Sequence, residues 1–382
     1  MILPSYGSSR TVDQASRRPN RWTTALLGEV LPLSGSTMSG LKPGPRTLIL
    51  IFALLIGATA WADTTGQQRA EAAGQGLVGS LAPRLVVKTI DGTTIDLGSL
   101  YGKRAVYLKF WATWCVPCRE QMPHFEHVFE TAGPDLAVVA INSGFNDTLD
   151  DVQRYRQRLH LTMPIVLDDG QLAAAFNLRV TPQHIVIGRD GRIQYVGHLA
   201  DQQLDAALVA ARISPSGGPA SGPEAPAAIA RLRPGDQRPA TVVKTADGQP
   251  FEFSSSDAKR SRQPTVLVFL SPWCESYLAT SRPAVSASCR MTRERVATLS
   301  RGSHARWLGI ASGLWADQDD LRQYQKQYSI TIPLTLDESG ALFREFRVTN
   351  VPTIIITDGA GRLVRRLESN NTRHLREALQ SL

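Results

Sequence analysis

Two cysteines three positions apart are the residues of this chain best suited to chemistry. Cys115 and Cys118 lie in the run FWATWCVPC, residues 110–118, after an apolar stretch at residues 104–109 that predicts a buried strand. Residues 119–130 predict a helix, so Cys115 is expected at a helix N-terminus. Free backbone N–H groups and the helix dipole lower the pKa of a thiol at that position. Because Cys118 lies one turn further along, its sulfur can attack a mixed disulfide at Cys115, and the pair can cycle between dithiol and disulfide.

Two cysteines at this spacing also occur as half of a zinc site, in haem attachment and in structural disulfides. A zinc site needs a second pair of ligands, whereas Cys274 and Cys289 are 15 positions apart with no pair of histidines near them. Haem attachment needs a histidine directly after the second cysteine, where this chain has Arg119. We therefore expect a redox-active pair, and neither a metal nor a cofactor.

The motif around these cysteines resembles the thioredoxin superfamily. Its form WATWCVPC, followed by REQMP, is similar to the envelope branch that contains TlpA and ResA. The resemblance covers about residues 75–212 and implies a thioredoxin fold with a cis-proline facing the disulfide, for which Pro182 in the sequence Val-Thr-Pro is the match. It also implies that Trp114 shapes the rim of the site, and that the backbone of Thr181 pairs with an extended substrate segment.

One position departs from the family pattern. Thioredoxins carry a buried acidic residue on the strand six positions before the first cysteine, and this chain has Lys109 there. An ammonium group close to the sulfur would stabilise the thiolate of Cys115 and lower its pKa, so Lys109 is a candidate tuning residue. The alternative is a lysine that reaches solvent from a strand edge.

Composition and the N-terminal region indicate where the protein works. The chain has 382 residues and a net charge of +8, but no basic run interleaved with aromatic residues, so we expect no nucleic-acid partner. An apolar run at residues 47–58, followed by Ala-Trp-Ala, is typical of a secretory signal peptide, here one that starts at Met38. An uncleaved N-terminal anchor is the alternative. The expected location is the periplasm, an oxidising compartment in which disulfides persist.

The length of the chain indicates two domains with additional segments. The expected segments are 1–37, a disordered upstream extension; 38–62, the signal peptide; 63–79, a tether; 80–212, a thioredoxin-like redox domain; 213–239, a Pro- and Gly-rich linker; and 240–382, a thioredoxin-like domain without CxxC. The last is expected because the pattern of the first domain recurs, including Trp273-Cys274 and an X-Pro at Pro352. The predicted fold class is α/β, with two tandem thioredoxin-like domains whose central mixed sheets are flanked by helices, behind a signal peptide.

The second domain lacks a dithiol motif, because Tyr277 stands where the resolving cysteine would be. In one straight helix Cys274 and Cys289 would be roughly 20 Å apart, at about 1.5 Å per residue, which is too far for a disulfide. Pro283 breaks the pattern between them, so a helical hairpin would allow pairing. A structural disulfide and two free thiols both stay open. The candidate site residues of this domain are Trp273, Cys274, Cys289 and Pro352.

The leading hypothesis is an envelope thiol–disulfide oxidoreductase whose redox turnover resides in residues 63–212. The resemblance implies protein thiol or disulfide substrates, such as apocytochrome c or copper-site proteins, and electrons from a membrane thiol donor. A second hypothesis makes the C-terminal domain a non-redox module that binds the partner. A third is a peroxidase, because residues 181–187 also resemble peroxiredoxins, although their lone-cysteine loop, Pro-x-x-x-Thr-x-x-Cys, is absent from the first domain.

Overall fold

The computed structural model describes residues 65–216, 232, 235–236, 241–253, 263–368 and 371–380. We call residues 65–216 the N-terminal lobe, and the described residues from 241 to 380 the C-terminal lobe. The predicted upstream extension, the signal peptide and most of the linker lie outside the described residues. None of the helices in the described ranges combines the length and the apolar character that a bilayer crossing requires.

The N-terminal lobe consists of a hairpin and a mixed sheet with helices around them. Its strands are β1 (Val86–Lys88), β2 (Thr94–Asp96), β3 (Ala105–Trp111), β4 (Leu136–Asn142), β5 (Ile165–Leu167), β6 (Gln183–Ile187) and β7 (Ile193–Gly197). Its helices are α1 (residues 65–74), α2 (Leu97–Leu100), α3 (Val116–Glu120), α4 (Met122–Glu130), α5 (Leu149–Leu159), α6 (Gln171–Ala175) and α7 (Gln202–Ile213). The sheet has the order β5-β4-β3-β6-β7, with β3 parallel to β4 and antiparallel to β6. The mixed sheet predicted for this domain is confirmed.

Strand β3 is at the centre of the sheet, which explains why its sequence is continuously apolar. All seven of its residues are buried, since both faces of the sheet are covered. Alternate side chains point to opposite faces, so Leu108 enters one layer, while Tyr107 packs against Phe125 of α4 in the other. The second layer also holds Cys115 and Cys118.

The helix after the first cysteine is divided in two. The sequence predicts one helix at residues 119–130, whereas α3 ends at Glu120 and α4 begins at Met122. Pro123 lies in the first turn of α4, where its missing N–H removes no helical hydrogen bond. The division therefore falls at Gln121, before the proline rather than at it.

The C-terminal lobe repeats this architecture. Its strands are β8 (Val242–Lys244), β9 (Pro250–Glu252), β10 (Thr265–Leu270), β11 (Arg306–Ser312), β12 (Leu334–Asp337), β13 (Thr353–Thr357) and β14 (Leu363–Leu367). Its helices are α8 (Cys274–Ser281), α9 (Pro283–Leu299), α10 (Gln318–Gln327), α11 (Ala341–Glu345) and α12 (Leu375–Gln380), with a 3-10 turn at Thr372–His374. The sheet has the order β12-β11-β10-β13-β14, so each strand occupies the place of its counterpart in the N-terminal lobe. The fold is α/β with two tandem thioredoxin-like units, as predicted.

The segment predicted to be a tether belongs to the N-terminal lobe wherever it is described. Residues 65–74 of the predicted 63–79 tether form α1, on which Ala73 is fully buried. Gly74 packs so closely that an added Cβ would lie 2.9 Å from the Cβ of Val196 on β7. The tether prediction is wrong for this helix, because its small residues serve close packing rather than a flexible link.

Candidate active site

Cys115 and Cys118 form a disulfide at the start of α3, with their Cα atoms 5.3 Å apart. Cys115 is the N-cap of the helix, and its Sγ accepts a hydrogen bond of 3.2 Å from the backbone N–H of Cys118. Pro117 lies in the first turn, where its missing N–H removes no helical hydrogen bond. Once the pair is reduced, the N–H of Cys118 and the helix dipole stabilise a thiolate on Cys115. The pair therefore lies at the helix N-terminus at which the sequence placed it.

The loop before β6 lies against this disulfide. The peptide bond between Thr181 and Pro182 is cis, and the carbonyl oxygen of Thr181 is 3.3 Å from the Sγ of Cys115. The ring Nδ1 of His198 donates a hydrogen bond of 2.7 Å to the carbonyl oxygen of Pro182. The structure thus brings together Cys115, Thr181 and Pro182, which the resemblance assigned to the site. It adds His198, which no sequence motif indicated.

Lys109 of β3 is enclosed in the layer between the sheet and α4, the helix that follows the one with Cys118. Its side chain is fully buried, and no hydrogen-bond partner for its Nζ lies within the described residues. The Nζ is 5.4 Å from the centre of the Phe125 ring. Burial lowers the pKa of Lys109 to about 7, because the ammonium is separated from water. The lysine therefore does not reach solvent from a strand edge, and near neutral pH it can hold or release a proton.

A second buried base, His184, is the cross-strand partner of Lys109. Its Nδ1 is 2.8 Å from the hydroxyl of Tyr107, and its Nε2 is 2.8 Å from the Oε1 of Gln121. Burial first, and the charge of Lys109 second, lower the pKa of His184 well below its usual value. The imidazole is therefore neutral at neutral pH, and it links the sheet to the residue that separates α3 from α4.

Asp147 anchors the turn that precedes Cys115. Its carboxylate accepts hydrogen bonds from the backbone N–H and the hydroxyl of Thr113, at 2.7 and 2.5 Å, and from the side-chain amide of Asn142 at 2.8 Å. Arg282 of the C-terminal lobe adds an ion pair at 2.9 Å. Burial raises the pKa of Asp147, while these hydrogen bonds and the Arg282 charge oppose the rise. Sequence reasoning missed this aspartate, because it lies between a strand and a helix without any motif.

The corresponding position of the C-terminal lobe holds a second disulfide. Cys274 begins α8 and is bonded to Cys289 in α9, with the Cα atoms 6.3 Å apart. The two helices form a hairpin that turns at Arg282, so the structure contains the paired alternative and not two free thiols. The peptide bond between Val351 and Pro352 is cis, as in the proline loop of the other lobe.

The disulfide-bearing ends of the two lobes face each other. Trp114 and Trp273 precede the first cysteine of each lobe, and their ring centroids are 5.0 Å apart. Each indole N–H donates a hydrogen bond of 2.7 Å to the equivalent loop of its own lobe, at the carbonyl oxygens of Phe145 and Leu314. Trp114, expected at the rim of the site, is instead at the contact between the lobes and is only 2% exposed. Cys115 beside it is 1% exposed.

Part of this chain is similar to known proteins. Residues 78–196 match the model of the AhpC/TSA family. The chain is 31% identical over 162 residues to the thioredoxin-like protein YneN of Bacillus subtilis, covering 42% of this chain and 94% of that protein. It is 34% identical over 131 residues to the thiol-disulfide oxidoreductase ResA of Halalkalibacterium halodurans, covering 33% of this chain and 73% of that protein. A thioredoxin-family thiol:disulfide interchange protein from Chlorobium tepidum is 28% identical, with 35% of this chain and 96% of that chain covered and a TM-score of 0.32.

Proposed function

Because the chain belongs to the family of thioredoxin-like thiol–disulfide oxidoreductases, we propose that Cys115 and Cys118 are its working redox pair and exchange disulfides with protein substrates. One observation carries this proposal. The Sγ of Cys115 lies at the N-terminus of α3, 3.2 Å from the N–H of Cys118 and 3.3 Å from the carbonyl oxygen of Thr181. A sulfur at a helix N-terminus is favoured as the thiolate, which is the attacking species in disulfide exchange.

In the reducing direction, the thiolate of Cys115 attacks one sulfur of a substrate disulfide. A mixed disulfide forms, and the other substrate sulfur leaves as a thiolate. The thiol of Cys118 then loses its proton, and its sulfur attacks the Sγ of Cys115. This step forms the disulfide of the pair and releases the second substrate sulfur, so two electrons pass to the substrate. Lys109 stays the candidate tuning residue, since its Nζ lies over Phe125, which packs in the same layer as Cys118, and it changes charge near neutral pH.

We place this activity in the periplasm. The apolar run at residues 47–58 with the following Ala-Trp-Ala supports secretion, and the Cys274–Cys289 disulfide suits an oxidising compartment. An uncleaved N-terminal anchor is the alternative to cleavage. The envelope resemblance favours apocytochrome c or copper-site proteins as substrates, and a membrane thiol protein as the electron donor.

In this proposal the C-terminal lobe is a non-redox module. Tyr277 occupies the position of a resolving cysteine, and its hydroxyl accepts a hydrogen bond from the backbone N–H of Val116 in the other lobe. The disulfide between Cys274 and Cys289 joins α8 to α9. In a redox-active domain this position holds the resolving thiol, but here it holds a tyrosine that binds the redox motif of the other lobe. This favours a binding role for the C-terminal lobe.

Reduction of insulin by the chain from residue 63, with dithiothreitol as the electron source, tests the proposed function. We expect Cys115→Ser and Cys118→Ser each to abolish the reaction above the background of dithiothreitol alone. The paired replacement of Cys274 and Cys289 by serine is the matched control, and it should retain the reaction. Consumption of peroxide that depends on Cys115, without reduction of insulin, would instead support the peroxidase hypothesis.

A further inference from the structure

We propose that the C-terminal lobe is the resident occupant of the substrate-binding face of the Cys115–Cys118 site, and that protein substrates react only after this lobe moves aside. The inference rests on the proposed function, but its evidence is the contact between the lobes, whose described parts lie in one compact unit. One set of contacts covers the turn with the cysteines, and another covers the loop with Thr181. Ion pairs made by Arg282 and by Arg69 also join the two lobes.

The first set of contacts covers the turn that carries the cysteines. The backbone N–H of Val116, between the two cysteines, donates a hydrogen bond of 3.1 Å to the hydroxyl of Tyr277. The ring of Tyr277 also meets Trp114 edge-on, with centroids 6.1 Å apart, and Trp273 packs on the same indole at 5.0 Å. A substrate approaching Cys115 would meet this N–H and this indole. Both already have partners from the C-terminal lobe.

The second set of contacts covers the loop before β6. The backbone N–H of Trp315 donates a hydrogen bond of 2.8 Å to the carbonyl oxygen of Arg179. The indole N–H of Trp315 donates another, of 3.2 Å, to the Oγ1 of Thr181. The resemblance assigned this loop to backbone pairing with an extended substrate segment. Trp315 bonds the backbone of Arg179, two residues before Thr181, and the side chain of Thr181, so the loop is covered from within the molecule.

The contact is reciprocal, because each lobe binds the proline loop of the other. Asn146 follows β4 as Trp315 follows β11, and its side-chain oxygen accepts a hydrogen bond of 2.9 Å from the N–H of Val351. The backbone N–H of Asn146 donates one of 2.8 Å to the carbonyl oxygen of Thr349. Asn146 and Trp315 both adopt a left-handed backbone, with φ of 54° and 57°. Matching backbone geometry on the two sides indicates an interface built into both repeats.

Ion pairs between the lobes supplement these hydrogen bonds. Arg282 pairs with the buried carboxylate of Asp147 at 2.9 Å and with Asp151 at 3.4 Å. Arg69 of α1 pairs with Asp320 of α10 at 2.6 Å. Removal of one partner from a buried pair leaves an uncompensated charge, which is strongly destabilising. Arg282→Glu would therefore disfavour the closed arrangement of the lobes, in which the new carboxylate faces Asp147, without the same penalty when the lobes are apart.

The contact between the lobes limits which molecules can react with Cys115. With the lobes in contact, Cys115 is 1% exposed and Thr181 has no exposed surface. A protein disulfide must bring one sulfur onto the Sγ of Cys115 while its flanking backbone pairs with the Thr181 loop, and the C-terminal lobe contacts both the turn next to Cys115, at Val116, and the Thr181 loop. The lobe therefore excludes protein disulfides from the closed arrangement, and residues 213–239 keep it attached to the chain when it moves aside.

Alkylation of the reduced chain tests this without reference to activity. A maleimide carried on a polyethylene glycol chain is the bulky probe, N-ethylmaleimide is the small one with the same reactive group, and peptide masses identify the modified cysteine. We expect Arg282→Glu to accelerate bulky alkylation of Cys115 by about tenfold or more, since it leaves the buried carboxylate of Asp147 without its cation and facing a second carboxylate. Arg290→Glu, at an exposed position of α9, the helix that follows Arg282, is the matched control and should leave the rate unchanged. A bulky probe that modifies Cys115 of the unaltered chain as readily as the small probe does would overturn the proposal.

A locked variant covers the case in which Arg282→Glu disturbs folding. Cysteines replace Arg69 and Asp320, whose side chains touch across the lobes, and a short bis-maleimide joins them while the native cysteines are paired. Insulin reduction should fall about tenfold or more on cross-linking, relative to the same variant before cross-linking. Undiminished reduction by the cross-linked chain would refute the occupied-face proposal. Absence of reduction before cross-linking would instead count against the proposed function, and the alkylation rates would still decide the inference.

Discussion

Replacing Lys109 by methionine should stabilise the oxidised protein by an amount that depends on pH. The Lys109 side chain is fully buried and its pKa is about 7, against 10.5 for an ordinary lysine. Between these two values the unfolded state binds more protons than the folded state, so stability rises with pH through the window. The cost of the buried amine is fully present below pH 7. The difference in pKa amounts to about 5 kcal/mol, at about 1.4 kcal/mol for each pH unit.

Methionine has a similar length and no charge, so Lys109→Met removes this cost. We expect the free energy of unfolding to rise by about 4 kcal/mol at pH 7, and by about 2 kcal/mol at pH 9. Urea unfolding of the oxidised chain, followed by tryptophan fluorescence across this range, measures both values. The neighbouring His184 and Tyr107 also have shifted pKa values, but burial, the main cause of both shifts, acts on them in both chains, so their contributions largely cancel in the difference between Lys109→Met and the unaltered chain.

Lys103→Met is the matched control, because Lys103 is exposed. It should leave the dependence of stability on pH unchanged. If the profile of Lys109→Met runs parallel to that of the unaltered chain, the reasoning is refuted, since the amine would then have the same protonation behaviour in the folded and unfolded states.

Three further predictions concern the disulfides and the packing of α1. Replacing Cys274 and Cys289 together by alanine should lower the stability of the C-terminal lobe by about 3 kcal/mol in calorimetry, because the bond spans a sequence separation of 15; an unchanged transition would contradict this. Thiol titration of the unreduced chain in denaturant should find no free thiol, because all four cysteines are paired, and any titrating thiol would show an open pair. Gly74→Val should lower the urea midpoint by the equivalent of about 1–3 kcal/mol, since an added Cβ would lie 2.9 Å from the Cβ of Val196; an unaltered midpoint would show that α1 can shift without cost.

The redox pair, the proline loop and the repeated sheet could be predicted from the sequence, because each has a local signature. The spacing of Cys115 and Cys118 after an apolar strand specifies the helix start, and Val-Thr-Pro at Pro182 specifies the loop. The apolar stretch at residues 104–109 recurs before Trp273, which predicts an equivalent strand in both lobes. These features depend on residues close together in the chain.

The contact between the lobes could not be predicted in this way. Tyr277 showed only that a cysteine was missing, while Asn146 and Trp315 lie in loops without a motif. The ion pair between Arg282 and Asp147 joins residues that are 135 positions apart in the chain, and no local sequence pattern predicts such a contact. That redox turnover resides wholly in residues 63–212 stays a prediction, and nothing in the sequence indicated that the second lobe contacts that site.

The redox assignment is tested most directly by capture of a substrate on the attacking sulfur. In a Cys118→Ser chain the mixed disulfide cannot be resolved, so a peptide disulfide that the unaltered chain reduces should stay bound. Peptide masses under non-reducing conditions locate the attachment. We expect a single adduct at Cys115, because its Sγ lies at the N-terminus of α3. Attachment at Cys274 or Cys289, or no adduct at all, would contradict the assignment.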